Sequence, residues 1–153
     1  MKIILMRHGQ AESYANADTD SARQLTAVGQ AQALETAQYL ATHYQADTLV
    51  VSPYVRAQQT AAQVNSCFAQ LTPVTQDNIT PEDDARDALR TLGEHDGECI
   101  IVVCHMAIVA HIAGLLTGDY PESFALAEAR VFETDFVMMG MATETDRFVP
   151  QQP

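Results

Sequence analysis

Cys99-Ile100-Ile101-Val102-Val103-Cys104-His105 is the stretch on which the fold turns. A β-branched run with no polar alternation predicts a strand buried on both faces. Ala107 to Leu116 predicts a helix after it, closing near Gly118. Outward from there the same order repeats. Lys2 to Met6 and Thr48 to Val51 are short apolar runs that predict buried strands. Thr26 is placed to cap a helix reaching about Tyr44, with Leu34, Ala37, Ala41 and Tyr44 on one face. Ser52-Pro53 predicts a helix start, serine as cap and proline in the first turn, with Ala57, Ala61, Val64 and Phe68 as the buried stripe. Pro73 to Gln76 suits a short strand, and residues 82–93 an acidic helix. Residues 9–24 form a polar loop, and 128–149 add one or two strands. Strands alternating with helices imply an α/β fold, a three-layer α/β/α sandwich around a mostly parallel central sheet.

Composition narrows the classes. Nearly half the residues, 47%, are apolar and spread along the chain, so residues 1–153 are expected to form a single globular domain. No apolar run has the length of a membrane span. The first residues carry too short an apolar run for a signal peptide, so the expected compartment is cytoplasmic and the expected membrane partner is none. Cys67, Cys99 and Cys104 make no CxxC pair and are expected as free thiols. The formal net charge is −12, and the few basic residues do not cluster, which argues against nucleic acid as a partner. An anionic ligand would gain nothing from long-range steering, so local arginines would have to attract it.

Ligands of such sheets bind beyond the carboxyl ends of the strands. The first run ends in Arg7-His8-Gly9, the second in Ser52-Pro53 with Arg56 just beyond, and the third in His105. If these strands are parallel neighbours, two arginines and two histidines meet in one crevice. Guanidinium forks match phosphate oxygens. A neutral imidazole attacks phosphorus well, and a second, protonated one would donate to an equatorial oxygen. Helix starts after Ser52 and His105 add N–H groups and positive dipole ends, and Gly9 lets the backbone bend beside His8. Positioning and charge are most of what phosphoryl transfer requires. Neither a metal nor another cofactor is expected, because the adjacent Cys104-His105 pair lacks usable ligand spacing.

Leu5-Met6-Arg7-His8-Gly9, Ser52-Pro53-Tyr54-Val55-Arg56-Ala57-Gln58-Gln59-Thr60-Ala61 and Val103-Cys104-His105 resemble the three signature motifs of the histidine phosphatase, or phosphoglycerate mutase-like, superfamily. Arg23-Gln24-Leu25-Thr26-Ala27-Val28-Gly29 is similar to a stretch of its small phosphohistidine phosphatase group, the SixA-like proteins. The resemblance spans most of residues 1–118 and fades in the tail. It implies that His8 is the phosphorylated nucleophile, that Arg7, Arg56 and His105 form the phosphate pocket, and that Arg23 lies at its rim. It also implies a phosphorylated histidine-containing protein as substrate, in bacterial phosphotransfer signalling. The alternatives are a small-molecule phosphomonoesterase and a non-catalytic phosphoprotein-binding module.

Larger members of that superfamily carry a cap between the second and third motifs, and usually a carboxylate general acid. Here residues 57–104 have room for no large cap, so the site should be open to a bulky substrate. Glu82, Asp83 and Asp84 are candidates for the acid, but acids at a helix start are also explained by its dipole. A site without an acid suits a phosphoramidate, whose imidazole leaves neutral after protonation on its other nitrogen. His43, His95 and His111 are expected to be structural or surface residues. Cys104 adjoins His105, where its oxidation would affect activity.

Overall fold

The computed structural model describes residues 1–69 and 71–153. Its strands are β1 (Lys2–Arg7), β2 (Thr48–Val51), β3 (Pro73–Thr75), β4 (Cys99–Cys104), β5 (Ala129–Glu133) and β6 (Thr143–Phe148). Its helices are α1 (Ala27–His43), α2 (Val55–Cys67), α3 (Ala85–Leu92) and α4 (Ile108–Thr117), with two short 3-10 turns at Tyr14–Asn16 and Asp20–Ala22. The six strands make one mixed sheet in the order β3-β2-β4-β1-β5-β6. The first four in that order run parallel, and β5 and β6 are antiparallel additions. The tail thus contributes two strands. Among the described residues, no helix is long and apolar enough to cross a membrane.

Side-chain alternation divides the core into two layers. Ile3 and Leu5 of β1, with Ile100, Val102 and Cys104 of β4, face α3 and α4. Ile4 and Met6, with Ile101 and Val103, face α1 and α2. All six residues of β4 are buried, as its uninterrupted apolar run requires. The register sets Met6 and Val51 both against Val103, so β1, β2 and β4 end side by side.

One buried face and two boundaries differ from those read in the sequence. Thr26 does cap α1, accepting from the Gly29 N–H at 3.0 Å. The face it buries, however, is Gly29, Gln32, Ala33, Thr36, Ala37 and Leu40, while Leu34 is exposed. Polar residues belong to the buried face because each has a partner. Gln32 accepts from the Gln10 N–H at 2.9 Å, and Thr36 donates to the Ala127 carbonyl at 2.7 Å. Second, α2 starts at Val55 with Tyr54 in the cap position, so Ser52 and Pro53 stand before the helix. Third, α3 is shorter than expected, because Asp84 caps it through hydrogen bonds from the Arg86 and Asp87 N–H groups.

Two glycines bring the loop after β1 against α1. A Cβ on Gly9 would lie 2.4 Å from the Gly29 carbonyl oxygen, and one on Gly29 would lie 2.0 Å from that of Gln10. Gly9 is therefore required by close approach, not by an unusual bend as the sequence suggested. At the far side, the Asp146 carboxylate accepts from Tyr39 at 2.7 Å and Tyr44 at 2.6 Å, fastening β6 to α1. The outermost strands are polar or short. β3 starts with Pro73 and is exposed throughout, and β6 carries Glu144, Asp146 and Arg147.

Candidate active site

His8 leaves the end of β1 with its backbone held on both sides. Its N–H donates to the Cys104 carbonyl, and its carbonyl accepts from Ala127, each at 3.0 Å. The neighbouring strand delivers His105 at the same level, and the two imidazole centroids are 5.2 Å apart. Nδ1 of His8 is 2.6 Å from the Gly9 carbonyl oxygen. A carbonyl only accepts, so Nδ1 carries the hydrogen and Nε2 keeps its lone pair. Arg56, in the first turn of α2, donates from Nε to that Nε2 at 3.3 Å.

Charge is withheld from both rings. The His8 pKa is pushed down to about 3, first by burial, then by the charges of Arg56, Arg7 and Arg23 against the opposing Gly9 hydrogen bond. His105 is pushed down to about 2 by burial, then by His8 and Arg56. The expectation of a protonated His105 is corrected accordingly: it enters the site neutral. Its Nε2 is 2.7 Å from Ser52 Oγ, which itself accepts from the Tyr54 N–H. With the Ser52 hydroxyl donating to Nε2, the hydrogen of His105 resides on Nδ1.

Arg7 donates from Nη1 to the Phe124 carbonyl at 2.8 Å. Among the described residues, two buried side-chain polar atoms have no hydrogen-bond partner: Arg7 Nε and His105 Nδ1. Both belong to the set expected around a phosphoryl group. Buried donors are normally paired, so such orphans point to a ligand.

Arg23 lies farther out. It donates from Nε to the Glu12 carbonyl and from Nη1 to Asp20, and it stacks 4.1 Å above the Tyr14 ring. The three acid candidates do not reach the histidines. Asp84 is the α3 cap, Asp83 accepts from the Thr80 N–H and hydroxyl, and Glu82 is exposed. His95 pairs with Gln76, His43 with the Tyr39 carbonyl, and His111 is exposed. The Cys104 thiol is fully buried, and burial pushes its pKa up to about 12, which removes the thiolate that oxidation needs.

The structure also adds residues that the sequence did not single out for this site. Thr60 Oγ1 accepts from the Gly9 N–H at 3.2 Å and donates to the Arg56 carbonyl at 2.8 Å, tying the nucleophile's loop to α2. Asp20 holds Arg56 twice, through its carbonyl at 2.7 Å and its carboxylate at 3.2 Å. Its spacing to Arg23 (i, i+3) was the available signal, hidden by the reading of residues 9–24 as a plain loop. No three His, Cys, Asp or Glu side chains among the described residues gather in a way that could hold a metal ion.

Comparison with known proteins agrees with this geometry. Residues 3–80 match the model of the histidine phosphatase superfamily (branch 1). A SixA homologue described as a phosphohistidine phosphatase, from Haemophilus influenzae, is 38% identical, over 82% of this chain and 86% of its own. The phosphohistidine phosphatase SixA of Escherichia coli K12 is 29% identical, over 81% and 80%. The solved structure of a protein histidine phosphatase SixA complexed with tungstate superposes with a TM-score of 0.87 at 25% identity, covering 98% of this chain and 97% of that one. The chain belongs to the histidine phosphatase superfamily, on the side of it occupied by the SixA relatives.

Proposed function

We propose that this protein is a phosphohistidine phosphatase that works through a phosphorylated His8. The observation that carries the reading is the pairing of a neutral, tautomer-fixed His8 Nε2 with two orphaned buried donors, Arg7 Nε and His105 Nδ1. In the first step His8 Nε2 attacks phosphorus in line, and the bond from phosphorus to the substrate nitrogen breaks. Arg7 and Arg56 hold the phosphoryl oxygens, and His105 donates from Nδ1 as charge spreads over them. In the second step water displaces phosphate from His8. Arg23 stands at the rim, where its charge acts on His8 from a distance.

The substrate we infer is the phosphorylated histidine of a signalling protein, in a cytoplasmic setting that suits three free cysteines. The relatives named above carry that activity in their names, and the tungstate held by one of them is an oxyanion of phosphate shape. Room between α2 and β4 is taken by β3 and α3, so no cap excludes a protein side chain. The test compares a phosphohistidine protein with sugar phosphates, using wild type and His8→Ala. Wild type is expected to favour the phosphohistidine, to show a burst with an acid-labile phosphoryl group on His8, and to lose about 10³-fold or more in kcat/KM on substitution. A His8→Ala variant of undiminished activity would refute the reading.

A further inference from the structure

The site contains a carboxylate that phosphate binding alone would not call for. Asp20 sits in the second 3-10 turn, with its side chain 35% exposed, while Arg56 beneath it is 4% exposed. Its two carboxylate oxygens are shared, Oδ1 with Arg23 at 2.9 Å and Oδ2 with Arg56 at 3.2 Å. Arg56 Nε is meanwhile on His8 Nε2. The guanidinium is a rigid plane, so the nucleophilic nitrogen and the carboxylate are held one guanidinium apart. Burial works against ionisation of Asp20, but the Arg23 hydrogen bond and the charge of Arg56 outweigh it and keep the group below its ordinary pKa. Asp20 therefore stays anionic and cannot serve as the general acid. An anion there lowers the affinity of the pocket for any phosphoryl dianion, which must be offset elsewhere.

We propose that Asp20 is a specificity-determining residue: its carboxylate, set beside His8 by Arg56 and Arg23, favours a phosphoryl group carried on a protonated ring nitrogen over one carried on oxygen. The inference rests on the proposed function and names the charge state of its substrate. A phosphoimidazole protonated on its remote nitrogen brings a positive ring to the mouth of the site, where Asp20 attracts it. As the His8–phosphorus bond forms, the substrate's phosphorus–nitrogen bond breaks and its electron pair returns to the ring. The ring keeps its remote proton and leaves neutral, so no acid is required. An ester oxygen instead takes the pair as an alkoxide or phenoxide, and that negative charge grows within the field of Asp20.

The experiment uses the full chain with Asp20→Asn, which keeps an oxygen to accept from Arg23, and Asp20→Glu, which keeps the charge. A phosphohistidine peptide, an aryl phosphate and tungstate binding by calorimetry are the probes. In Asp20→Asn we expect kcat/KM on the peptide to fall about tenfold, that on the aryl phosphate to rise about threefold, and tungstate to bind about tenfold tighter, as removal of one nearby unit charge dictates. Asp20→Glu should recover part of the peptide preference. Parallel losses on both substrates with weaker tungstate binding would overturn the assignment, leaving Asp20 a mere prop for Arg56. A wild type that hydrolyses only the aryl phosphate would overturn the functional reading itself, and the selectivity with it.

Discussion

His8 and His105 make the core pay for carrying two basic groups without their protons. In the unfolded chain each takes up a proton near pH 6.5, whereas in the fold their pKa values are about 3 and about 2. Between those limits the unfolded state binds more protons, so stability falls as pH drops below about 6.5, by about 1.4 kcal/mol per pH unit for each histidine. Urea midpoints at pH 7.5 and pH 5 should show this, and His105→Asn should flatten the slope. An equal slope in that variant would mean that His105 adds nothing to the acid limb. Of the residues involved, His8, Arg56 and His105 were legible because each follows a run that could only be a strand. Ser52 was read as a helix cap, a position Tyr54 holds instead, and its partner His105 is too distant in the chain for local patterning to reveal. Asp20 was missed, since its one signal, the i, i+3 spacing to Arg23, lies in a short turn of a polar stretch without periodicity.

At the scale of elements, the loop after β1 depends on the backbone-to-backbone fit of Gly9 and Gly29. Gly29→Ala would place a methyl group 2.0 Å from the Gln10 carbonyl oxygen, and backbone on both sides must shift to relieve it. We expect a loss of about 1–3 kcal/mol in denaturant unfolding, together with reduced activity, because Gly9 follows the nucleophile. An unchanged midpoint would show that the loop moves freely against α1. The strands β1, β2 and β4 were read correctly because burial on both faces leaves an unbroken apolar run. The buried face of α1 was misread because Gln32 and Thr36 enter the core with hydrogen-bond partners contributed by distant residues. Apolar spacing cannot register a polar side chain that is satisfied inside.

Across the whole molecule, an anion-binding site is set in a chain of net charge −12. A phosphorylated substrate approaches against that field and is captured only near the arginines. Raising ionic strength from about 10 to about 150 mM shortens the range of the repulsion, so kcat/KM for an anionic phosphopeptide should rise about twofold. Initial rates below KM across a salt series measure this, and a fall would show that the arginine field dominates the approach. The layer order was legible from the sequence, as was the absence of room for a cap. The antiparallel side of the sheet was not, because β6 is built from polar residues whose pairing is secured by β5 and by the two phenols on Asp146.

The two margins of that sheet also govern what the molecule does in a crowd of its own copies. On one margin, β3 is three residues long and opens with an imino acid that offers no N–H. On the other, β6 lines up carboxylates and a guanidinium. A seventh strand from another copy would find few donors on the first and would have to strip water from charges on the second. The fold thereby protects itself against fibre growth at both edges of the described sheet.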